Sequence, residues 1–154
     1  LVTDADMEEE TVTRLSRVGF DNVLGYLQGG FSSWKDAEKE IDTVNRITAT
    51  EFASQIEGKE AMVIDVRKES EYAAEHVEDA YSKPLAYIND WVNDIDPKQP
   101  FYLHCAGGYR SMIAASILQA RGYRNFIEIE GGFKAIAETQ IPKTDFVCQS
   151  KVLK

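Results

Sequence analysis

The stretch that most constrains this chain is residues 101–118, which read FYLHCAGGYRSMIAASIL. It opens with a short apolar run and continues, after Ala106-Gly107-Gly108, into apolar residues at helical spacing. This pattern predicts a strand, a tight loop and a helix in direct succession. It also predicts that the thiol of Cys105 lies on the first residue of the loop.

The predicted loop surrounds Cys105 with groups that favour its ionised form. Backbone N–H groups and the N-terminal end of the following helix face the sulfur, and Arg110 adds a full positive charge. Because these groups stabilise a thiolate, they predict a lowered cysteine pKa and a nucleophile at this position. Glycine at positions 107 and 108 lets the backbone close around an anion. The alternative is a structural cysteine that ends a core strand.

The segment Cys105-Ala-Gly-Gly-Tyr-Arg110-Ser111 resembles the active-site loop of the rhodanese family, sulfurtransferases that carry sulfur as a cysteine persulfide. Upstream, Asp65-Val-Arg67, Glu71-Tyr72 and His76-Val-Glu-Asp-Ala80 are similar to the first signature of rhodanese domains. The alternative is a cysteine phosphatase or arsenate reductase. It is less favoured because four residues rather than five separate the cysteine from the arginine.

The resemblance implies a role for each residue of the loop. Cys105 and Arg110 are the predicted catalytic residues, the first as sulfur carrier and the second as the group that binds the anionic end of the donor. Ser111 either donates a hydrogen bond to the sulfur or caps the helix. The predicted substrate-binding residues are Ala106, Gly107, Gly108, Tyr109 and Ser111.

Four further residues are predicted to support the site without reacting. His104 precedes the cysteine on a strand, so its side chain points to the opposite face, and we interpret it as a structural hydrogen-bonding residue rather than a base. Asp65 and Arg67 are expected to form a structural pair that holds the loops around the site. His76 is also interpreted as structural.

Strands that alternate with helices along the chain predict a parallel sheet covered by helices on both faces. Residues 61–65 and 126–129 are expected to be strands, and residues 85–95 a helix anchored in the core by Trp91. We therefore predict an α/β, three-layer rhodanese-like fold over residues 46–146, followed by a tail over residues 147–154.

The first 45 residues contain a partial repeat of this domain. Gly29-Gly30-Phe31 matches Gly131-Gly132-Phe133, about a hundred residues later. Extended backwards, the repeat aligns Asp4 with Cys105, and carboxylates at Glu8–Glu10 follow in place of an arginine. Residues 1–45 are therefore predicted to be the rear half of a degenerate, inactive rhodanese copy plus a linker. Because such a half exposes apolar residues, we expect it to pair with a second molecule in a homodimer.

The tandem arrangement resembles the C-terminal region of proteins that fuse a metallo-β-lactamase-fold domain to rhodaneses. That resemblance implies an upstream metal domain in the full-length protein. Within this chain, no cluster of metal ligands occurs and no cofactor is predicted. The net charge of −9 disfavours nucleic acid and anionic membranes as partners. A poised thiolate favours a reducing cytoplasm, and a resolving role for Cys148 is the less favoured reading of that residue.

We predict that the chain is a sulfurtransferase without a cofactor. Cys105 would accept sulfane sulfur from thiosulfate or from a persulfide such as glutathione persulfide, and pass it to a thiol or cyanide. Because the loop offers one cation, a persulfide fits at least as well as the thiosulfate dianion. The alternative is a non-catalytic module in which a Cys105 persulfide serves as a sensor within a larger persulfide-metabolising enzyme.

Overall fold

A computed structural model of the chain describes residues 1–148, so most of the predicted tail, residues 149–154, lies outside the described residues. The chain divides into two compact units, Leu1–Thr43 and a second that begins at Val44. The first unit contains helices α1, Glu8–Ser16, and α2, Gly30–Asp36. In the part of the chain that is described, no helix is both long enough and apolar enough to cross a bilayer.

The second unit is built on a five-stranded sheet in which every neighbouring pair of strands is parallel. The strands lie in the order β1-β5-β4-β2-β3 across the sheet. Their bounds are β1 Arg46–Ile47, β2 Val63–Asp65, β3 Tyr81–Ser82, β4 Phe101–His104 and β5 Phe126–Ile129. The predicted parallel sheet is therefore confirmed, with the strand that precedes Cys105 at its centre.

Helices cover both faces of this sheet, which confirms the predicted three layers. One core cluster packs α5 and α6 against one face, and a second packs α3 and α7 against the other. Leu103 and Leu118 are fully buried in the first cluster, and Phe52 and Ile136 in the second. The helices are α3 Ala49–Ile56, α4 Glu69–Ala74, α5 Ile88–Trp91, α6 Tyr109–Ala120 and α7 Gly132–Ala137.

Local sequence explains where α3 begins and why the predicted helical segment over residues 85–95 is not one continuous α-helix. Thr48 and Glu51 form a capping box that satisfies backbone N–H groups at the start of α3. In contrast, α5 is only Ile88–Trp91, with a single 3-10 turn on either side. Asparagine and aspartate at positions 89, 90, 93 and 94 compete for backbone hydrogen bonds and so shorten the helix. Trp91 is nonetheless buried, as predicted.

The first unit buries little of its own surface. Among residues 1–43, all of which are described, Gly30 is the only buried residue. The Leu27 N–H donates to Leu1 O at 2.8 Å, and the Leu1 amino group donates to Gly25 O at 2.7 Å. These bonds join two extended segments as neighbouring strands would be joined, although residues 1–43 contain no assigned strand. Large apolar side chains are exposed, with Leu24 at 94%.

Candidate active site

The loop of Cys105 connects the end of β4 to the start of α6. Gly108 precedes α6 with a φ of +100°, a left-handed conformation that side chains rarely adopt. This turn directs the N-terminal end of α6 back toward the cysteine. The side chain of Cys105 is 1% exposed, so its sulfur lies beneath the loop rather than on the surface.

The sulfur of Cys105 lies against a backbone N–H group and a hydroxyl group that follow it in the chain. The Gly108 N–H lies 3.2 Å from Sγ, and the Ser111 hydroxyl oxygen lies 3.4 Å from it. Burial raises the pKa of the Cys105 thiol, but the Ser111 hydroxyl, when its proton points at the sulfur, and the backbone N–H groups of residues 107, 108 and 111 lower the pKa by more than burial raises it. The net pKa lies below the ordinary cysteine value. The loop therefore favours a thiolate, which is the nucleophilic form.

The start of α7 holds the opposite side of the loop. The Phe133 N–H donates to Cys105 O at 2.6 Å, and the Lys134 N–H donates to Ala106 O at 3.1 Å. Gly132 permits this approach, because a Cβ added at its φ of +57° would lie 2.4 Å from Cys105 O. Both carbonyl oxygens are thus occupied on the far side of the loop, which leaves the loop N–H groups to face the sulfur.

The paired glycines of the first unit have the same local geometry. Gly30 has a φ of +60°, and a Cβ there would lie 2.4 Å from Thr3 O. The carbonyl oxygen of Thr3 thus lies against Gly30 in the same way that the carbonyl oxygen of Cys105 lies against Gly132. This contact places Thr3 rather than Asp4 opposite Cys105, because Thr3 lies 27 residues before Gly30 just as Cys105 lies 27 residues before Gly132. That residues 1–45 are a degenerate copy of the domain stays a prediction.

Arg110 of α6 is held by a carboxylate of a neighbouring helix. Its guanidinium forms a two-pronged ion pair with Glu71 of α4, with N–O distances of 2.6 and 2.9 Å. Hydrogen bonds from Arg110 lower the pKa of Glu71 to about 2, against the effect of partial burial, and the Lys68 N–H adds to this. The pair ties α6 to α4. The anion-binding role of Arg110 stays a prediction.

Two charged residues at the site were missed by sequence reasoning. Glu128 of β5 is fully buried, and its Oε1 lies 2.5 Å from the Ser111 hydroxyl oxygen. Arg46 of β1 donates from Nε to the other oxygen of Glu128 at 2.8 Å. The available signal was a carboxylate within an apolar strand, which must find a partner when the strand is buried.

The predicted structural residues lie around the loop in different ways. Arg67 binds Asp65 at 2.6 Å and stacks on the ring of Phe133 at 4.1 Å. His104 is fully buried and its Nδ1 lies 3.1 Å from Cys105 O. Burial lowers the pKa of His104, against the effect of Asp65, so the ring is neutral and Nδ1 donates.

The other two predicted residues lie away from the sulfur. His76 stacks on Tyr72 with a ring-centroid distance of 3.7 Å and bonds to the Tyr72 carbonyl oxygen at 2.8 Å. It therefore joins the end of α4 to the following segment rather than to the loop. Tyr109 begins α6 with its side chain 79% exposed, at the outer surface of the loop.

Comparisons with known proteins agree on one family. The profile of the rhodanese-like domain matches residues 48–139. The thiosulfate sulfurtransferase GlpE of Pseudomonas fluorescens is 30% identical over 84 residues, which cover 54% of this chain and 77% of that protein. An uncharacterized protein of Synechocystis is 30% identical over 99 residues, which cover 64% of this chain but about half, 55%, of that protein.

A solved structure shows the same fold. The crystal structure of a rhodanese-like domain protein from Staphylococcus aureus superimposes with a TM-score of 0.58 at 29% identity. The superposition covers 64% of this chain and 97% of the other. The likeness thus accounts for nearly all of that domain.

Proposed function

The chain belongs to the rhodanese-like domain family, and on that premise we propose that it is a sulfurtransferase whose Cys105 carries sulfur as a persulfide. The observation that carries this proposal is the environment of the Cys105 sulfur. The sulfur accepts from the Gly108 N–H at 3.2 Å and lies 3.4 Å from the Ser111 hydroxyl, with its pKa below the ordinary value. The GlpE relative is named a thiosulfate sulfurtransferase, an activity of the same class.

The reaction has two displacement steps on sulfur. In the first, the Cys105 thiolate attacks the outer sulfur of a donor, so that a new S–S bond forms and the donor leaves as a thiolate or as sulfite. In the second, an acceptor thiolate or cyanide attacks the outer sulfur of the Cys105 persulfide, and Cys105 leaves as a thiolate. The N–H groups of the loop can stabilise, by hydrogen bonds, the negative charge on the sulfur in both steps.

The charges near the loop favour a persulfide donor over thiosulfate. Arg110 is already paired with Glu71, and Arg46 is paired with Glu128 and with Glu130. Each pair is close to neutral as a unit, so a dianion gains less from either arginine than it would from an unpaired cation. A donor with a single negative charge loses less on entering such a loop.

Intact-mass measurement after incubation with thiosulfate, and separately with glutathione persulfide, tests the proposal. We expect the protein to gain about 32 Da, the mass of one sulfur atom, with the adduct on the Cys105 peptide. Glutathione persulfide should load the protein faster. Cys105→Ser should abolish the adduct, and Cys148→Ser is the matched control that should retain it.

Release of the sulfur separates enzyme from carrier. Addition of cyanide or a thiol to the loaded protein should return the original mass over repeated cycles. An adduct confined to Cys148 would contradict the proposed role of Cys105. Loading without release would instead identify a module that holds persulfide without turning it over.

A further inference from the structure

Ser111 lies between acceptors that compete for its single proton. Its hydroxyl oxygen is 2.5 Å from Glu128 Oε1, 3.0 Å from Gly108 O and 3.4 Å from Cys105 Sγ. A serine hydroxyl donates one hydrogen bond at a time. The shortest contact is with the Glu128 carboxylate, so the proton lies on that side and an oxygen lone pair faces the sulfur.

A lone pair suits one protonation state of Cys105 and not the other. A thiol can donate its proton to the Ser111 oxygen, whereas a thiolate can only accept. The Ser111 hydroxyl therefore lowers the pKa of Cys105 only while its proton points at the sulfur. For the thiolate to gain this hydrogen bond, Glu128 must give it up.

Glu128 resists that exchange because of where it lies. Its side chain is fully buried, and a buried carboxylate depends on its hydrogen-bond donors. Without the proton of Ser111, it keeps the Arg46 Nε at 2.8 Å and faces a new negative charge across one hydroxyl group. Ionisation of Cys105 thus removes a donor from Glu128 and adds a repulsion.

We propose that Glu128 is a positioning residue of the sulfur site, which acts through Ser111 to oppose ionisation of Cys105. The inference deepens the proposed sulfur transfer and rests on it only for its kinetic consequence. A thiolate that forms less readily is a stronger nucleophile but a poorer leaving group. Glu128 would therefore favour loading of sulfur over its release.

The other titratable groups around the sulfur should keep their charge when Glu128 is substituted. They are paired with one another, neutral or exposed, and they belong to α6, α4, β4 and α7 and to β2 with the segment that follows it. These groups are Arg110 with Glu71, Asp65 with Arg67, the neutral His104, and the exposed Lys134.

The first test is the pH dependence of Cys105 alkylation by iodoacetamide in Glu128→Gln. The glutamine amide can donate to the Ser111 oxygen, which leaves the serine proton for the sulfur. We expect the midpoint to move to lower pH, so that alkylation below the parent midpoint is about five- to tenfold faster. Glu130→Gln is the matched control. It removes a carboxylate that also pairs with Arg46, at 3.3 Å, but it does not form the Ser111 contact, so the profile should stay unchanged.

A double-mutant cycle tests the route through Ser111. In a Ser111→Ala background, Glu128→Gln should move the midpoint much less than it does in the parent protein. Equal shifts in both backgrounds would mean that Glu128 acts directly through its charge, and would overturn the proposed route. Arg46→Gln gives a test of opposite sign. Glu128 would then depend more on Ser111, and the midpoint should move to higher pH.

Kinetics of the two half-reactions complete the experiment. In single-turnover assays, Glu128→Gln should speed release of sulfur to cyanide and slow loading when the rate is expressed per thiolate. An unchanged alkylation midpoint in folded Glu128→Gln and Arg46→Gln proteins, verified by thermal unfolding, would overturn the inference. Failure of the parent protein to load sulfur would instead overturn the proposed function, while the alkylation titration would still report on Glu128.

Discussion

The two paired-glycine turns of this chain are alike in backbone and opposite in chemistry. Gly29–Gly30 and Gly131–Gly132 have φ values within a few degrees of each other, and each second glycine abuts a carbonyl oxygen, that of Thr3 or that of Cys105. The helices that follow those carbonyls differ. The first turn of α1 carries three glutamates, whereas the first turn of α6 carries no acidic residue. A helix start can receive an anion only where the chain has not placed its own carboxylates there.

The largest difference between the two turns should appear when the same methyl group is added to each of them. Gly132→Ala forces a Cβ to within 2.4 Å of Cys105 O at a positive φ, so we expect sulfur loading to fall more than about a hundredfold. Gly30→Ala meets Thr3 O at the same 2.4 Å distance but should leave loading unchanged. Rates of persulfide formation by mass spectrometry measure both.

A loss of loading in Gly30→Ala would show that the first turn also supports the sulfur site. Circular dichroism on both variants separates misfolding from a local effect on the loop. If Gly132→Ala is folded and fully active, the proposed dependence of the loop on α7 is wrong.

The next largest effect should come from Arg110, which has no equivalent among the glutamates of α1. Arg110→Ala removes a charged contact worth about 1.5–3 kcal/mol, so kcat/KM should fall roughly ten- to a hundredfold. The alkylation midpoint of Cys105 should also move to higher pH, because the Arg110 guanidinium and the Cys105 thiolate attract each other. Arg14→Ala in α1 is the control for loss of a helical arginine. Coincident midpoints in Arg110→Ala and the parent protein would remove Arg110 from this role.

Acid stability should separate an ion pair at the site from one on the surface. The folded-state pKa of Glu71 is about 2, below its ordinary value of 4.5, so its stabilising contribution is present above about pH 4.5 and is lost as the pH falls toward 2. The difference in unfolding free energy between the parent and Glu71→Gln should therefore shrink over that range.

Glu10→Gln is the comparison for this measurement, because Glu10 pairs with Arg14 on the exposed surface of α1. Exposed pairs contribute about 0–1 kcal/mol, so this variant should differ little in stability from the parent protein. Urea titrations between pH 2 and 6 would show both differences. A constant difference for Glu71→Gln would contradict the assigned pKa.

The smallest effect on sulfur chemistry should follow removal of residues 1–43. Because the partners of Cys105 and Ala106 described above, at Gly108, Ser111, Phe133 and Lys134, belong to the second unit, loading should change less than about twofold. If the exposed apolar residues of the first unit join two molecules, the deletion should also turn a dimer into a monomer by light scattering. A parent protein that is already monomeric would exclude the pairing, and a large loss of loading would exclude the independence.

Sequence patterns were sufficient for the three central strands β2, β4 and β5 and for the loop, because these depend on neighbours in the chain. Short, mostly apolar runs marked β2, β4 and β5, and Gly107-Gly108 marked the turn into α6. The edge strands β1 and β3 are two residues each and contain no such run, so they were not predicted. The segment over residues 85–95 shows the limit of this approach. Apolar spacing suggested one helix, but interspersed asparagine and aspartate divided it into shorter turns.

The partners of the site residues could not be predicted, because they are brought together by strand order. Arg46 and Glu128 are 82 residues apart and meet because β1 lies beside β5. Arg110 and Glu71 meet because β4 and β2 are neighbours, which places the segments that follow them side by side. Spacing along the chain carries no record of either contact, although an acidic residue in a buried strand indicates that a partner exists.

The hydrogen bonds from α7 to the carbonyl oxygens of Cys105 and Ala106 determine when the dipoles of the loop become oriented. In water, dipoles must rotate to meet a charge as it forms, and that reorganisation adds to the barrier. Here the peptide planes are held in place by the N–H groups of Phe133 and Lys134 before any donor arrives. The dipoles around the sulfur are oriented during folding. Negative charge that develops on the sulfur is therefore stabilised without the reorganisation energy that water would require.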